Sequence, residues 1–216
     1  MSFQYLLCDL DNTLYSAHSG MLDHIDCRID SFIGQKLNLG PEEISELRNI
    51  YWQKYGTTLS GLVMHHQIKP VEYIDYAYNI NITDFIKPDP ILATVLENIK
   101  LTKAIFSNSP KSYIKRVLQV LEIEHYFTKI YDIEFCNYLG KPNSSSYLKV
   151  LNDLGVKGEE CILVDDSVAN LQAAQQIKIV PIYLNGDQQR LIPCEIQQIH
   201  DLYFMVEKLI KDKISA

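Results

Sequence analysis

The segment Cys8-Asp9-Leu10-Asp11-Asn12-Thr13-Leu14-Tyr15 follows the apolar run Tyr5-Leu6-Leu7 and sets two carboxylates one residue apart. In an extended strand residues i and i+2 face the same side, so a strand running from Gln4 to Leu10 would bring Asp9 and Asp11 together. Two like charges that close push at least one pKa upward unless a cation lies between them. Such a pair suits metal binding or proton transfer, although Asp-Asn-Thr also has the chemistry of an ordinary turn or helix cap. Three further polar groups raise the same question: Ser107 and Asn108 in Phe106-Ser107-Asn108-Ser109, Lys141 in Gly140-Lys141-Pro142, and Asp165-Asp166-Ser167 after Cys161-Ile162-Leu163-Val164. Each alone fits a loop, a turn or an N-cap.

The elements that must position these residues follow from the pattern of apolar runs. From about residue 85 short apolar runs (Lys103 to Phe106, Lys129 to Phe135, Cys161 to Asp165, Val180 to Asn185) alternate with helical patterns over Tyr113 to Glu122, Ser144 to Leu154 and Ala169 to Ile177. This alternation predicts βαβ units, a parallel sheet of about five strands and helices on both faces, with ligand chemistry at the carboxyl ends of the strands. All four polar groups follow predicted strands, so the loops carrying them open onto one sheet edge. Between Ser16 and Thr83 the pattern is helical only. Gly40-Pro41-Glu42-Glu43 is a helix start, with Pro in the first turn and acids beside it, and Ile44, Leu47, Ile50 and Tyr51 follow on one face. Flanking helices are predicted over His18 to Lys36 and Val71 to Tyr78, and Leu202, Met205, Leu209 and Ile210 mark a C-terminal amphipathic helix. The reading is a doubly wound, Rossmann-like α/β core of residues 1–15 and 85–216, with an all-helical insertion of residues 16–84. Lys87-Pro88-Asp89-Pro90 is a stiff linker.

Charge balance says why the polar residues belong together. Asp9, Asp11, Asp165 and Asp166 bring up to four negative charges into one crevice, and Lys141 brings one positive charge. Oxygen ligands with no His or Cys beside them suit a hard cation such as Mg²⁺, which also binds phosphate. Ser107 and the backbone N–H groups after it would then hydrogen-bond phosphoryl oxygens.

Taken in order, Asp9-Leu10-Asp11-Asn12-Thr13, Ser107, Lys141 and Asp165-Asp166 resemble the four motifs of the haloacid dehalogenase superfamily of phosphohydrolases, over essentially the whole chain. That superfamily places an all-helical (C1-type) cap after its first motif, where residues 16–84 lie. Within it, Asp9 to Tyr15 together with Tyr55-Gly56-Thr57-Thr58-Leu59-Ser60-Gly61-Leu62 and His65 resemble the pyrimidine 5′-nucleotidase branch. The second segment also reads as a helix end at Gly56, a cap at Thr57 or Thr58, and core contacts by Leu59 and Leu62.

The resemblance implies an Mg²⁺-dependent phosphomonoesterase that works through an aspartyl-phosphate and hydrolyses UMP or CMP. Asp9 is then the nucleophile and a metal ligand. Asp11 is the general acid and later the base, with its backbone carbonyl on the metal. Thr13, Ser107, Asn108 and Lys141 bind phosphate, and Lys141 also orients Asp9. Asp166 is the choice for direct metal contact, with Asp165 acting through water or as support. The division agrees with chemistry: a carboxylate on a cation is a poor base, while a neighbour off the metal is free to exchange a proton. Dehalogenating members lack the carboxylate two residues after the nucleophile, so Asp11 argues against halide displacement. A phosphosugar mutase, a generalist phosphatase acting on phosphosugars or lysophospholipids, and a non-catalytic nucleotide-binding protein remain alternatives. In the insertion Tyr51, Trp52 and Tyr55 could stack on a base, with His65, His66 or Gln67 bonding its edge; the same aromatics could equally pack a core.

The bulk numbers fit this class. The 216 residues allow one domain plus an insertion, and 47% hydrophobic with 22% charged residues is a globular composition. The net charge of −7 argues against a nucleic-acid or membrane partner and leaves a small phosphorylated metabolite as the expected one. Monomer and homodimer stay equally open. The five cysteines are odd in number and never in Cys-x-x-Cys, and no signal-peptide pattern precedes them. Reduced thiols and a cytoplasmic location are therefore expected.

Overall fold

The computed structural model describes residues 2–184 and 192–215. Its sheet has six parallel strands: β1 (Tyr5–Cys8), β2 (Thr102–Phe106), β3 (Phe127–Tyr131), β4 (Cys161–Asp165), β5 (Val180–Leu184) and β6 (Glu195–Ile196), ordered β3-β2-β1-β4-β5-β6. Because β1 lies between β2 and β4, the strand order reverses beside it and the loops after β1, β2 and β4 meet at one crevice. This is the place where doubly wound sheets bind ligands.

The central strands β1 and β4 are buried on both faces, which is why they read as nearly continuous apolar runs, whereas the edge strand β3 exposes Thr128 and Lys129. Leu6 and Cys8 belong to the core on one side, whereas Leu7 packs with Ala104, Phe106, Leu163 and Tyr147 on the other. Helices α5 (Pro90–Asn98), α6 (Lys111–Val120), α7 (Ser144–Leu154), α8 (Val168–Gln176) and α9 (Leu202–Ser215) cover these faces.

Two expectations are corrected. The sheet has six strands rather than five, because β6 is a two-residue strand pairing through Tyr183 with Glu195 and Leu184 with Ile196, too short to leave a periodicity. The first strand stops at Cys8 rather than Leu10. The Asp9 N–H still bonds the Val164 carbonyl at 3.0 Å, but the chain then turns, with Leu14 N–H on the Leu10 carbonyl and Asn12 in the left-handed region at φ 57°. Asp9 and Asp11 therefore do not share a strand face. Asn185, the last residue of the expected fifth run, lies outside the described residues.

Between β1 and α5 stand α1 (Met21–Leu37), α2 (Pro41–Tyr55), α3 (Thr58–His66) and α4 (Pro70–Tyr78). In α1, Ile25, Ile29, Phe32 and Ile33 recur at helical spacing and are buried, with the Phe32 ring edge-on to Tyr73 of α4. Arg48 of α2 ties the layer together by pairing with Asp26 and Asp30 of α1. Gly56 ends α2 at φ 81°, and Thr57 caps α3 by accepting from the Ser60 N–H at 3.1 Å. No helix among the described residues is long and apolar enough to cross a membrane.

One glycine of α3 is dictated by contact rather than by backbone angle. A Cβ on Gly61 would lie 2.1 Å from the Tyr51 ring, so α2 and α3 approach as closely as they do because position 61 has no side chain. At an open helix position Gly→Ala gains about 1 kcal/mol. Gly61→Ala should instead lose about 1–3 kcal/mol, the usual range for overpacking, which urea denaturation will read as a lower midpoint.

Candidate active site

Lys141 stands at the centre of the crevice. Its ammonium is 2.8 Å from Asp9 Oδ1 and 2.5 Å from Asp165 Oδ2, and it is 1% exposed. Burial alone would depress its pKa; Asp165 and Asp9 outweigh that and hold it above the ordinary lysine range. The ammonium lies 5.1 Å from the Phe106 ring, which packs edge-on against the buried Tyr147. Lys141 is thus a permanent cation on an apolar floor, shared by two carboxylates.

Asp165, fully buried, has both oxygens satisfied. Oδ1 accepts from the Ser167 N–H at 2.8 Å and from Asn170 Nδ2 at 3.0 Å, while Oδ2 accepts from Lys141 and lies 3.1 Å from the same Asn170 nitrogen. Asp166 is only half-buried. One carboxylate oxygen from each of Asp9, Asp165 and Asp166 lies within 4.8 Å of the others. This all-oxygen set, three acids against one lysine, fits a hard divalent cation. Burial, reinforced by Asp165, pushes the Asp166 carboxyl up to about 6, and burial also raises Asp9, with Lys141 opposing and the neighbouring acids adding. The cluster is short of positive charge.

Asp11 sits apart from that set. Tyr15 donates to its Oδ1 at 2.5 Å, Tyr113 to the same oxygen at 3.0 Å, and Ser109 to Oδ2. Burial raises its pKa and these three hydroxyls partly offset the rise. Asp9 keeps a different neighbourhood, with Thr13 Oγ1 3.4 Å from its Oδ2 as well as Lys141 on Oδ1. The two acids of one motif are therefore separated by their partners: an ammonium and the neighbouring acids for Asp9, hydroxyl donors alone for Asp11.

The Lys141 loop is fixed by its main chain. Asn108 accepts from the Lys141 N–H at 2.7 Å and donates to the Lys141 carbonyl at 2.8 Å, so its side chain clamps the lysine loop. A Cβ on Gly140 would meet Asn108 Oδ1 at 2.4 Å, which accounts for glycine before the lysine. Ser107 is buried with its Oγ accepting from the Ser109 N–H at 3.1 Å. From the other side Gly56 presses on the same loop, where an added Cβ would lie 2.7 Å from the Lys141 carbonyl oxygen, and Ser60 donates to the Tyr138 carbonyl.

Sequence reading did not single out Ser109, Tyr15, Tyr113 or Asn170. Tyr15 and Ser109 lie inside quoted motifs. Asn170, in the first turn of α8, and Tyr113, in α6, meet the site only through the fold.

The four aromatic candidates of the helical layer part company. Tyr51 is buried, bonds His66 Nε2 at 2.7 Å and stacks on His65 at 5.6 Å; Tyr55 bonds His65 Nε2 at 2.6 Å. These groups satisfy one another. Trp52 is 53% exposed and lines a cavity of about 180 Å³ between helices and sheet edge, together with Arg48, Asp26, Tyr78, Asn108 and Ser109.

A family model described as haloacid dehalogenase-like hydrolase matches residues 3–178. Phosphate metabolism protein 8 of Saccharomyces cerevisiae is 26% identical over 186 residues, covering 77% of this chain and 56% of that protein, so the chain spans little more than half its length. The fold is shared with a HAD phosphatase from Thermococcus onnurineus (19% identity, TM-score 0.64, 94% of this chain and 98% of that one). It is also shared with L-2-haloacid dehalogenase from Xanthobacter autotrophicus (15%, TM-score 0.61, 95% and 98%) and with the HAD-hydrolase YfnB of Bacillus subtilis, whose magnesium-bound crystal form reveals interdomain movement (14%, TM-score 0.59, 95% and 99%).

Two measurements test the electrostatics. Lys141→Met should destabilise by about 3–5 kcal/mol, since it leaves buried Asp9 and Asp165 without their shared cation; chemical denaturation without metal checks this. The raised Asp166 pKa means that its contribution to stability is present at pH below the ordinary carboxylate range and is lost as pH rises through about 6. Added Mg²⁺ should therefore raise Tm more at neutral pH than at pH about 5, by linkage of metal binding to proton release.

Proposed function

This chain belongs to the haloacid dehalogenase-like hydrolase family, and we propose that it is an Mg²⁺-dependent phosphate monoesterase that prefers pyrimidine nucleoside 5′-monophosphates such as UMP and CMP. The observation that carries the chemistry is the division between Asp9, on Lys141 and within the acidic set, and Asp11, on hydroxyl donors only. A nucleophile must be ionised and aimed, and a proton carrier must be free to change state.

In this reading an Asp9 oxygen attacks phosphorus and the ester oxygen departs with the proton of Asp11. Asp11, now a carboxylate, takes a proton from the water that cleaves the aspartyl-phosphate, and free Asp9 returns. Thr13, Ser107 and backbone N–H groups after Ser107, including that of Asn108, hold phosphoryl oxygens, while Lys141 offsets their charge and keeps Asp9 oriented. Asp9, Asp166 and the Asp11 backbone carbonyl would hold Mg²⁺, with Asp165 supporting through Lys141, Ser167 and Asn170. When bound, the ion supplies positive charge to the acids and phosphoryl oxygens, which supports phosphoryl transfer by electrostatics.

Residues 16–84 act as the cap in this assignment, and residues 1–15 and 85–216 as the core. The cavity beside Trp52, about 180 Å³, is smaller than the roughly 300–1,000 Å³ usual for ligand pockets, so a base bound there requires the cap to open, while a cavity of about 670 Å³ lined by Asn12, Thr13 and Asp166 lies on the other side of the acidic set. In this reading Trp52 stacks on the base, which its exposure beside the smaller cavity supports. Tyr51, Tyr55 and His65 contribute by holding α2 and α3 together, or by regrouping when the cap moves. A cytoplasmic setting suits a substrate of this kind.

The test is phosphate release from UMP, CMP, dUMP, AMP, GMP, glucose 1-phosphate and glucose 6-phosphate, with Mg²⁺ or EDTA. Selective, Mg²⁺-dependent release from the pyrimidine nucleotides is expected, and Asp9→Asn should reduce it by several orders of magnitude. Release from all substrates alike would leave a generalist phosphatase. Isomerisation of the hexose phosphate without release would mean a mutase.

A further inference from the structure

Asp11 is ringed by hydroxyls from three parts of the chain: Tyr15 in the turn after β1, Ser109 in the loop after β2, and Tyr113 in the first turn of α6. The two phenol oxygens are 3.1 Å apart, and both rings are buried, Tyr113 completely. Among the described residues neither phenol has a hydrogen-bond partner other than Asp11 and its fellow phenol. Phenylalanine would fill the same space, and burying a hydroxyl carries a desolvation cost that only a good acceptor offsets. What distinguishes tyrosine from phenylalanine at positions 15 and 113 is therefore the bond to Asp11.

The Tyr113 ring is itself gripped from the helical layer. Tyr78, the last residue of α4, lies 5.1 Å from it, and Arg116, three residues further along α6, donates to the carbonyls of Tyr78 and Ile80. Tyr113 thus stands between the end of that layer and the carboxylate, with little freedom to move away from either.

We propose that Tyr113, assisted by Tyr15, is a positioning residue for Asp11: the two phenol hydroxyls hold the carboxyl group at the angle from which it hands its proton to the departing ester oxygen. The role rests on the phosphatase reading above but not on the choice of nucleotide. Proton delivery is sensitive to placement, since errors of about 1 Å can cost ~100-fold. A carboxylate freed from both phenols can rotate while Asp9, Lys141 and the metal set stay in place.

The measurement is kcat/KM, which ends with departure of the leaving group, for two kinds of ester in the presence of Mg²⁺. p-Nitrophenyl phosphate releases a phenolate that needs no proton, whereas UMP and β-glycerophosphate release alkoxides that do. For Tyr113→Phe the alkyl esters should lose about tenfold or more while p-nitrophenyl phosphate changes less than about threefold, as expected for impaired general-acid catalysis with an intact nucleophile. Equal losses on both kinds, or no loss on the alkyl esters, would overturn the role. Should Tyr113→Phe fail to fold, Tyr15→Phe carries the same comparison. Asp11→Asn separates the two levels. If it too is blind to the leaving group, the general-acid assignment has failed; if it discriminates and the phenylalanine variants do not, only the positioning role has. A wild-type protein inactive on every ester would remove both.

Discussion

Everything in the crevice depends on one buried ammonium. Asp9 and Asp165 come from the ends of neighbouring strands, and without Lys141 they would be two carboxylates confined to an apolar interior. Taking such groups out of water costs several kcal/mol each, and only close, well-bonded partners offset it. Lys141 makes the convergence of the strands electrically tolerable, and the rest of the local structure can be understood as what keeps Lys141 there: Asn108 across its main chain, glycine before it, and an aromatic floor beneath it.

The same arrangement leaves a deficit. One lysine cannot balance Asp9, Asp165 and Asp166, and the three carboxylates are spaced for a single ion to reach all of them. Folding thus brings together three oxygen donors of the kind that suits a hard divalent cation. Asp11 lies outside this economy of charge. Three neutral hydroxyls hold it by hydrogen bonds, and Lys141 acts on it only through space, as a weaker influence than burial and those bonds.

Much of this was legible in the residue types. The βα alternation after residue 85 implied a parallel sheet, and the positions of Asp9, Ser107, Lys141 and Asp165-Asp166 after apolar runs implied a shared edge. What escaped was of two kinds. Short or interrupted structure leaves no period to detect, as with the two-residue β6 and the turn that separates Asp11 from the strand bearing Asp9. Long-range partners leave no local mark: Tyr113 looks like one more apolar-face residue of α6, and Asn170 like a polar position in α8, until the fold delivers them to Asp11 and Asp165. The helical layer was the least legible of all, because Tyr51, Trp52 and Tyr55 share a helix and a composition yet differ in surroundings, two of them joined to histidines of α3 and one left against the cavity.

Gly56 carries a consequence beyond ending a helix. Its bare α-carbon rests against the carbonyl of Lys141, beside the bond from Ser60 to Tyr138, where the elbow between α2 and α3 meets the lysine loop. The gap between the helical layer and the catalytic edge is set there by a missing methyl group, so position 56 acts as a depth stop. Any side chain there would force the elbow or the lysine loop to give way. How near the helical layer stands to the sheet edge is therefore written at a residue with no side chain at all.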